Sequence, residues 1–143
     1  MMDPNMLLSE IMTTMPVTID ASTALPEISR VFEEHTFHHL PVLDQGNLVG
    51  IISRQDFLRF EHALSVDWSG RMSVPGSFQD FLARDFMTEY PLSLAPDDTI
   101  GLAADIFLSN KFHAVPVVED ELLVGIVTSH DLIAYAYASP VKS

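Results

Sequence analysis

The sequence predicts an α+β fold in which two β-α-β-β-α repeats pack as a pseudo-two-fold pair. Three observations predict it. The stretch Leu48-Val-Gly-Ile-Ile-Ser-Arg-Gln-Asp56 returns as Leu123-Val-Gly-Ile-Val-Thr-Ser-His-Asp131, an offset of 75 residues. At that offset residues 9–58 lie on 84–133 without a gap. Met12-Thr13 falls on Met87-Thr88, Pro16 on Pro91, Phe37-His38 on Phe112-His113 and Pro41-Val42 on Pro116-Val117. Finally, strand and helix periods alternate at the same points in both copies. The first repeat spans 8–64, a connecting segment 65–82 and the second repeat 83–138.

Each repeat opens on a short strand entered by a proline, Pro16–Ile19 or Pro91–Leu94, where a missing N–H is tolerated. A helix follows. Thr23 and Asp98 are expected as its N-caps, and Pro26 falls in the first turn of the first copy. Leu25, Ile28, Val31 and Phe32 recur at helical spacing, as do Ile100, Ala103, Ile106 and Phe107, so each stripe must bury against a sheet. The next strand is Leu40–Leu43 or Val115–Val118. Asp44-Gln-Gly-Asn47 has hairpin residues, whereas Glu119-Asp-Glu121 has no glycine and leaves its turn geometry open. The third strand, Leu48–Ile52 or Leu123–Val127, runs into a second helix carrying Phe57, Leu58 and Phe60, or Leu132, Ile133 and Tyr135. Between the repeats, Trp68-Ser-Gly70 and Val74-Pro-Gly-Ser77 read as turns. Phe78–Phe86 reads as a helix leading into the second repeat, with Pro4–Met12 as its counterpart. One repeat of this size buries little apolar area, so two are expected to share a core.

A chain of 143 residues with 48% hydrophobic content fits a folded domain. No apolar run approaches the roughly 18 residues of a membrane span, and no basic segment precedes an apolar one at the N-terminus, which argues against a signal peptide. Without cysteine there are no disulfides, thiolate metal ligands or cysteine nucleophiles. The net charge of −13 keeps such a protein soluble and repels nucleic acid and anionic lipid. An anionic ligand would need local cations in its pocket. The motifs of phosphate loops, nucleophile elbows and zinc-protease helices are all missing.

The residues that carry chemistry are Ser53 with Asp56 and Thr128 with Asp131. Each pair stands where a strand becomes a helix, with backbone N–H groups free and a field that favours anions. One reading is structural, a hydroxyl cap and a first-turn acid. The other is a carboxylate accepting two hydrogen bonds from a vicinal diol such as a ribose, with the hydroxyl on a ribose or phosphate oxygen. His38 and His113, three residues before Pro41 and Pro116, are either backbone-bonded or phosphate donors. Arg54 and His130, inside the two Ser/Thr-x-x-Asp stretches, could each reach a phosphate or simply be exposed. Lys111 is a further phosphate candidate. His35, His38 and His39 suggest a metal cluster, but Pro41 pushes the chain out of helix there, and the second repeat has Asn110, His113 and Ala114 instead. No metal site is expected.

Met-Thr-x-x-Pro, the apolar-Pro-Val strand and Gly-Ile-Ile/Val-Ser/Thr-x-x-Asp each occur twice, at Met12/Met87, Leu40/Val115 and Gly50/Gly125. The duplicated pattern resembles the cystathionine β-synthase (CBS) domain, two of which form a CBS pair or Bateman module. The resemblance covers nearly the whole chain. It implies a sensor rather than an enzyme, holding AMP, ADP or ATP, with or without magnesium, in clefts between the repeats; S-adenosylmethionine and NAD are alternatives. No catalytic cofactor is implied. The family's ribose-binding Asp maps onto Asp56 and Asp131, beside Ser53 and Thr128. The adenine pocket maps onto His38, His39, Leu40 and Pro41, and onto His113, Ala114, Val115 and Pro116. Thr18 and Ser93, two after the first-strand proline, often join it. His38 and His113 look like the phosphate-contacting histidines of the γ subunit of AMP-activated protein kinase. With Arg54 and His39 at the first site against His130 and Ala114 at the second, the first is expected to prefer the more phosphorylated ligand. The family also implies a homodimer, for which the apolar positions Phe57, Phe60, Leu132 and Tyr135 could supply the interface. The chain itself is read as a cytoplasmic, stand-alone module whose output acts on an effector protein in trans or through self-assembly. No nucleic acid or membrane partner is expected. The rival is a structural dimerisation scaffold with empty clefts.

Overall fold

Two leading segments of the chain are exchanged between the repeats, and this exchange organises the fold. A computed structural model of the chain describes residues 3–70, 80–109 and 112–138, with the backbone alone for 65–70. It divides into a first unit, Val17–Pro91, and a second unit made of Met1–Pro16 with Leu92–Ser143.

In the first unit, β2 (Ile19–Asp20) leads to helix α1 (Leu25–Glu34), the hairpin of β3 (His39–Asp44) and β4 (Asn47–Ser53), then helix α2 (Arg54–Gly70). β2 runs parallel to β3, with Ile19 opposite Val42, and β3 runs antiparallel to β4. The unit is closed by β5 (Thr88–Glu89), which pairs antiparallel with β4, Gly50 opposite Glu89. In the second unit β1 (Thr13–Thr14) plays the part of β5. It pairs with β7 (Leu122–Thr128), which forms a hairpin with β6 (Ala114–Glu119). Helices α3 (Ile100–Ser109) and α4 (Ser129–Ala138) complete this unit. Leu94 bridges in parallel to Val117 where the first unit has β2. The expected first strands therefore shrink to two residues and a single bridge.

The Met-Thr segment of one repeat thus closes the sheet of the other. Each segment carries a short 3₁₀ turn, Leu8–Glu10 or Ala83–Asp85, where α-helix was expected over Pro4–Met12 and over the described part, 80–86, of Phe78–Phe86; Phe78 and Gln79 lie outside the described residues. Leu8 and Ala83 are fully buried, and their N–H groups donate to the carbonyls of Asp98 and Thr23. The glycines of the third strands belong to the same device. A Cβ on Gly50 would lie 2.8 Å from Met87 Cγ and 3.1 Å from the Thr88 carbonyl. On Gly125 it would lie 2.9 Å from the Thr13 carbonyl and 3.0 Å from Met12 Cγ. Only a residue without a side chain lets the crossing segment lie so close.

Helix α1 buries Leu25, Ile28 and Phe32 as its spacing requires, against Leu40, Val42, Ile52 and Phe57. The second core holds Leu8, Ile100, Ala103, Val117, Val127 and Leu132. Thr23 and Asp98 are not the N-caps. The capping positions are Ala24, which has no capping side chain, and Thr99, whose Oγ1 accepts from Leu102 N–H at 3.2 Å. Thr23 Oγ1 and Asp98 Oδ2 instead accept from Asp20 and Ala95 N–H, three residues earlier, and shape the turn that leads to each helix. Both hairpin turns have two residues at positive φ: Gln45 and Gly46, and Asp120 and Glu121. Glu119-Asp-Glu121 thus makes the same kind of turn without glycine. Trp68-Ser-Gly70 is not a turn, because α2 runs through it to Gly70; Val74–Ser77 lies outside the described residues.

Phe57 and Leu132 are buried, and Phe60 and Tyr135 pack against their own cores. Phe60 and Tyr135 are only half-buried, so part of each side chain stays on the surface. Among the described residues no helix is long and apolar enough to cross a membrane.

Candidate functional site

In each unit one corner gathers the predicted residues: the start of β3 or β6, the end of β4 or β7, and the start of α2 or α4. In the first unit His39 is opposite Ser53 in the hairpin, and the next N–H, that of Arg54, donates to the His38 carbonyl at 2.7 Å. In the second, Ala114 is opposite Thr128, and Ser129 N–H donates to the His113 carbonyl at 2.9 Å. Both histidine backbones are therefore pinned over a helix start, and both side chains are exposed. Thr18 stands one residue before Ile19 and Ser93 one before Leu94, so in register they are level with Pro41 and Pro116.

The hydroxyls do cap. Ser53 Oγ accepts from Asp56 N–H at 3.0 Å and Thr128 Oγ1 from Asp131 N–H at 3.1 Å. Asp131 completes a reciprocal box, its Oδ2 accepting from Thr128 N–H at 2.9 Å. Asp56 has Arg59 Nη2 at 3.6 Å from Oδ1, in a pair that is largely exposed and correspondingly weak. Both residues are half-buried, and each carboxylate keeps acceptor capacity beyond the contacts named, since a carboxylate has about four lone-pair sites.

The remaining candidates separate. Leu40, Pro41, Val115 and Pro116 are fully buried, and Ala114 nearly so. They offer a ligand backbone rather than side chain. Arg54 is half-buried with its guanidinium on backbone carbonyls, a role with no signal in the sequence. In register its counterpart is Ser129, while the exposed His130 matches Gln55. His35 stacks on Phe37 at 4.9 Å between ring centroids. Among the described residues no three His, Cys, Asp or Glu side chains come together as a metal-ligand set. Lys111 and Asn110 lie outside the described residues. An open groove of about 390 Å³ lies elsewhere in the second unit, among Leu7, Ser9, Met12, Pro96, Asp97, Glu119 and Val124, and none of the predicted residues lines it.

Comparison with known proteins gives this corner a context. The family model described as CBS domain matches twice, at residues 8–63 and 83–138. A protein of Methanocaldococcus jannaschii, MJ1225, is 26% identical over 137 residues, covering 93% of this chain and 48% of that protein. The chain spans less than half the length of the first curated relatives it matches. Among solved structures, CBSX2 in complex with AMP is 26% identical, with a TM-score of 0.76 over 92% of this chain and 96% of that one. The CBS domain pair of protein MJ0100, in complex with 5′-methylthioadenosine and S-adenosyl-L-methionine, is 27% identical. Its TM-score is 0.72 over 90% of this chain and 97% of that one.

Proposed function

The chain belongs to the CBS domain family, and on that premise we propose that it is a regulatory module that binds an adenosine-containing ligand through Asp56 in the first unit and Asp131 in the second. The observation that carries the reading is the recurrence of one corner in both units: a hydroxyl-capped helix start, a half-buried carboxylate and a histidine backbone pinned beside them. A half-buried carboxylate with spare lone pairs at a helix start suits a ribose diol, which donates two hydrogen bonds. Structural relatives with AMP and with S-adenosyl-L-methionine bound support the adenosyl class. The module does no chemistry on the ligand. It responds by favouring whichever arrangement binds better, and passes that bias to an effector.

Calorimetric titration of AMP, ADP and ATP, with and without magnesium, and of S-adenosylmethionine and NAD tests this. Hydrogen bonds to a charged group are worth about 1.5–3 kcal/mol each. Asp56→Ala and Asp131→Ala should therefore each weaken one site by more than about tenfold. Micromolar binding lost in the double variant is the expected result. Undiminished binding in the double variant would remove the ribose assignment, and no binding of any ligand to folded protein would favour a structural scaffold.

A further inference from the structure

Helix α1 ends at Glu34 without glycine, and the chain leaves it through an extended His35, φ −131° and ψ 162°. The last carbonyls of a helix have no partner within it. Here one side chain from the first residue of α2 supplies the donors. Arg54 Nη2 lies 2.8 Å from each of the carbonyls of Phe32, His35 and Phe37, and Nε lies 3.2 Å from that of Phe37. The guanidinium carbon is 4.9 Å from the centroid of the Phe32 ring. The backbone N–H of the same residue holds the carbonyl of His38. Residues 32–38 are thus gathered on a single arginine, whose planar fork suits several carbonyls as a lysine's point charge does not. The helix C-terminus is also the negative end of the helix dipole, which consumes part of the charge. The second unit has Ser129 at this position, which cannot reach so far.

We infer that Arg54 is a positioning residue of the first cleft: it holds the strap 35–38, and with it His38, against the start of α2, and its charge serves carbonyls rather than a ligand's phosphate. This rests on the nucleotide reading above and deepens it. The first cleft then selects for adenosine and ribose, and the number of phosphates matters little to Arg54. The preference for more phosphorylated ligands expected there loses its main cation.

The test uses the full chain carrying Asp131→Ala, so that the first cleft is read alone, with adenosine and AMP as probes. Loss of a preorganised loop should weaken both by the same factor in Arg54→Gln, roughly three- to tenfold. Arg54→Lys keeps the charge but should not restore affinity. A loss confined to AMP, or full rescue by lysine, would make Arg54 a phosphate ligand and overturn the inference. A ligand-free readout separates this from failure of the nucleotide reading. Backbone ¹⁵N order parameters of residues 35–38 should fall in Arg54→Gln, and unchanged values would overturn the positioning role even if no nucleotide binds.

Discussion

Ser22 shows how single hydrogen bonds set charge in this chain. Its hydroxyl donates to Asp20 Oδ1 at 2.6 Å and its N–H to the same oxygen at 2.8 Å. The hydroxyl bond, then the backbone bond, hold the Asp20 carboxyl below the usual range. A carboxyl lowered in the folded state stabilises the fold above its unfolded value, and the benefit is lost as pH falls through the folded one. Ser22→Ala should move the Asp20 titration upward in an NMR pH series; an unmoved titration would mean the bonds are not formed in solution. Residue roles of this local kind can be read from spacing. Ser53 and Thr128 cap three residues ahead because hydroxyl and carboxylate sit at the start of a helix, and the two readings made of them are compatible, since capping occupies one acceptor direction only. Arg54 could not be read that way. Its partners are carbonyls 17 to 22 positions earlier, and carbonyls have no sequence signature.

At the level of elements, the offset of 75 makes the strands, helices and hairpins of one repeat predict those of the other. It is silent on which copy each leading segment joins, because Met12-Thr13 and Met87-Thr88 are equivalent and either could pair in either unit. Packing decides it: Met87 crosses Gly50 and Met12 crosses Gly125. Gly50→Ala should therefore cost about 1–3 kcal/mol, the usual range for overpacking, because the nearest obstacles include the Thr88 backbone and not only a flexible methionine. Urea unfolding checks it, and an unchanged midpoint would mean that β5 does not lie on β4 in solution. The helix stripes were legible because burial follows the 3.6-residue period. The same apolar spacing serves a core or an interface, and Phe57 and Leu132 are buried in their own cores. The turn at Asp120 and Glu121 adopts positive φ without glycine, which composition alone did not foretell.

At the scale of the whole molecule, the chain passes from one unit to the other at Pro16 and again at Pro91. Each proline follows a non-glycine residue at positive φ, Met15 at 49° and Tyr90 at 45°, so both crossings begin with the same unfavourable backbone state. Among the described residues, the large apolar side chains exposed on α2 and α4 are Leu58 at 53% exposure, Ile133 at 67% and Tyr137 at 92%. We propose that the Leu58 face of α2 and the Ile133 face of α4 are each covered by a second copy of the chain in a homodimer. Leu58→Glu with Ile133→Glu should then halve the mass seen by light scattering, and a wild-type monomer would contradict it. Neither the corners nor the dimer matters unless the carboxylates do what they are assigned. The most direct measurement is the structure of the protein with AMP bound. Ribose hydroxyls within hydrogen-bond distance of Asp56 or Asp131 are the expected result; a nucleotide seated away from both carboxylates would contradict adenosyl sensing through them.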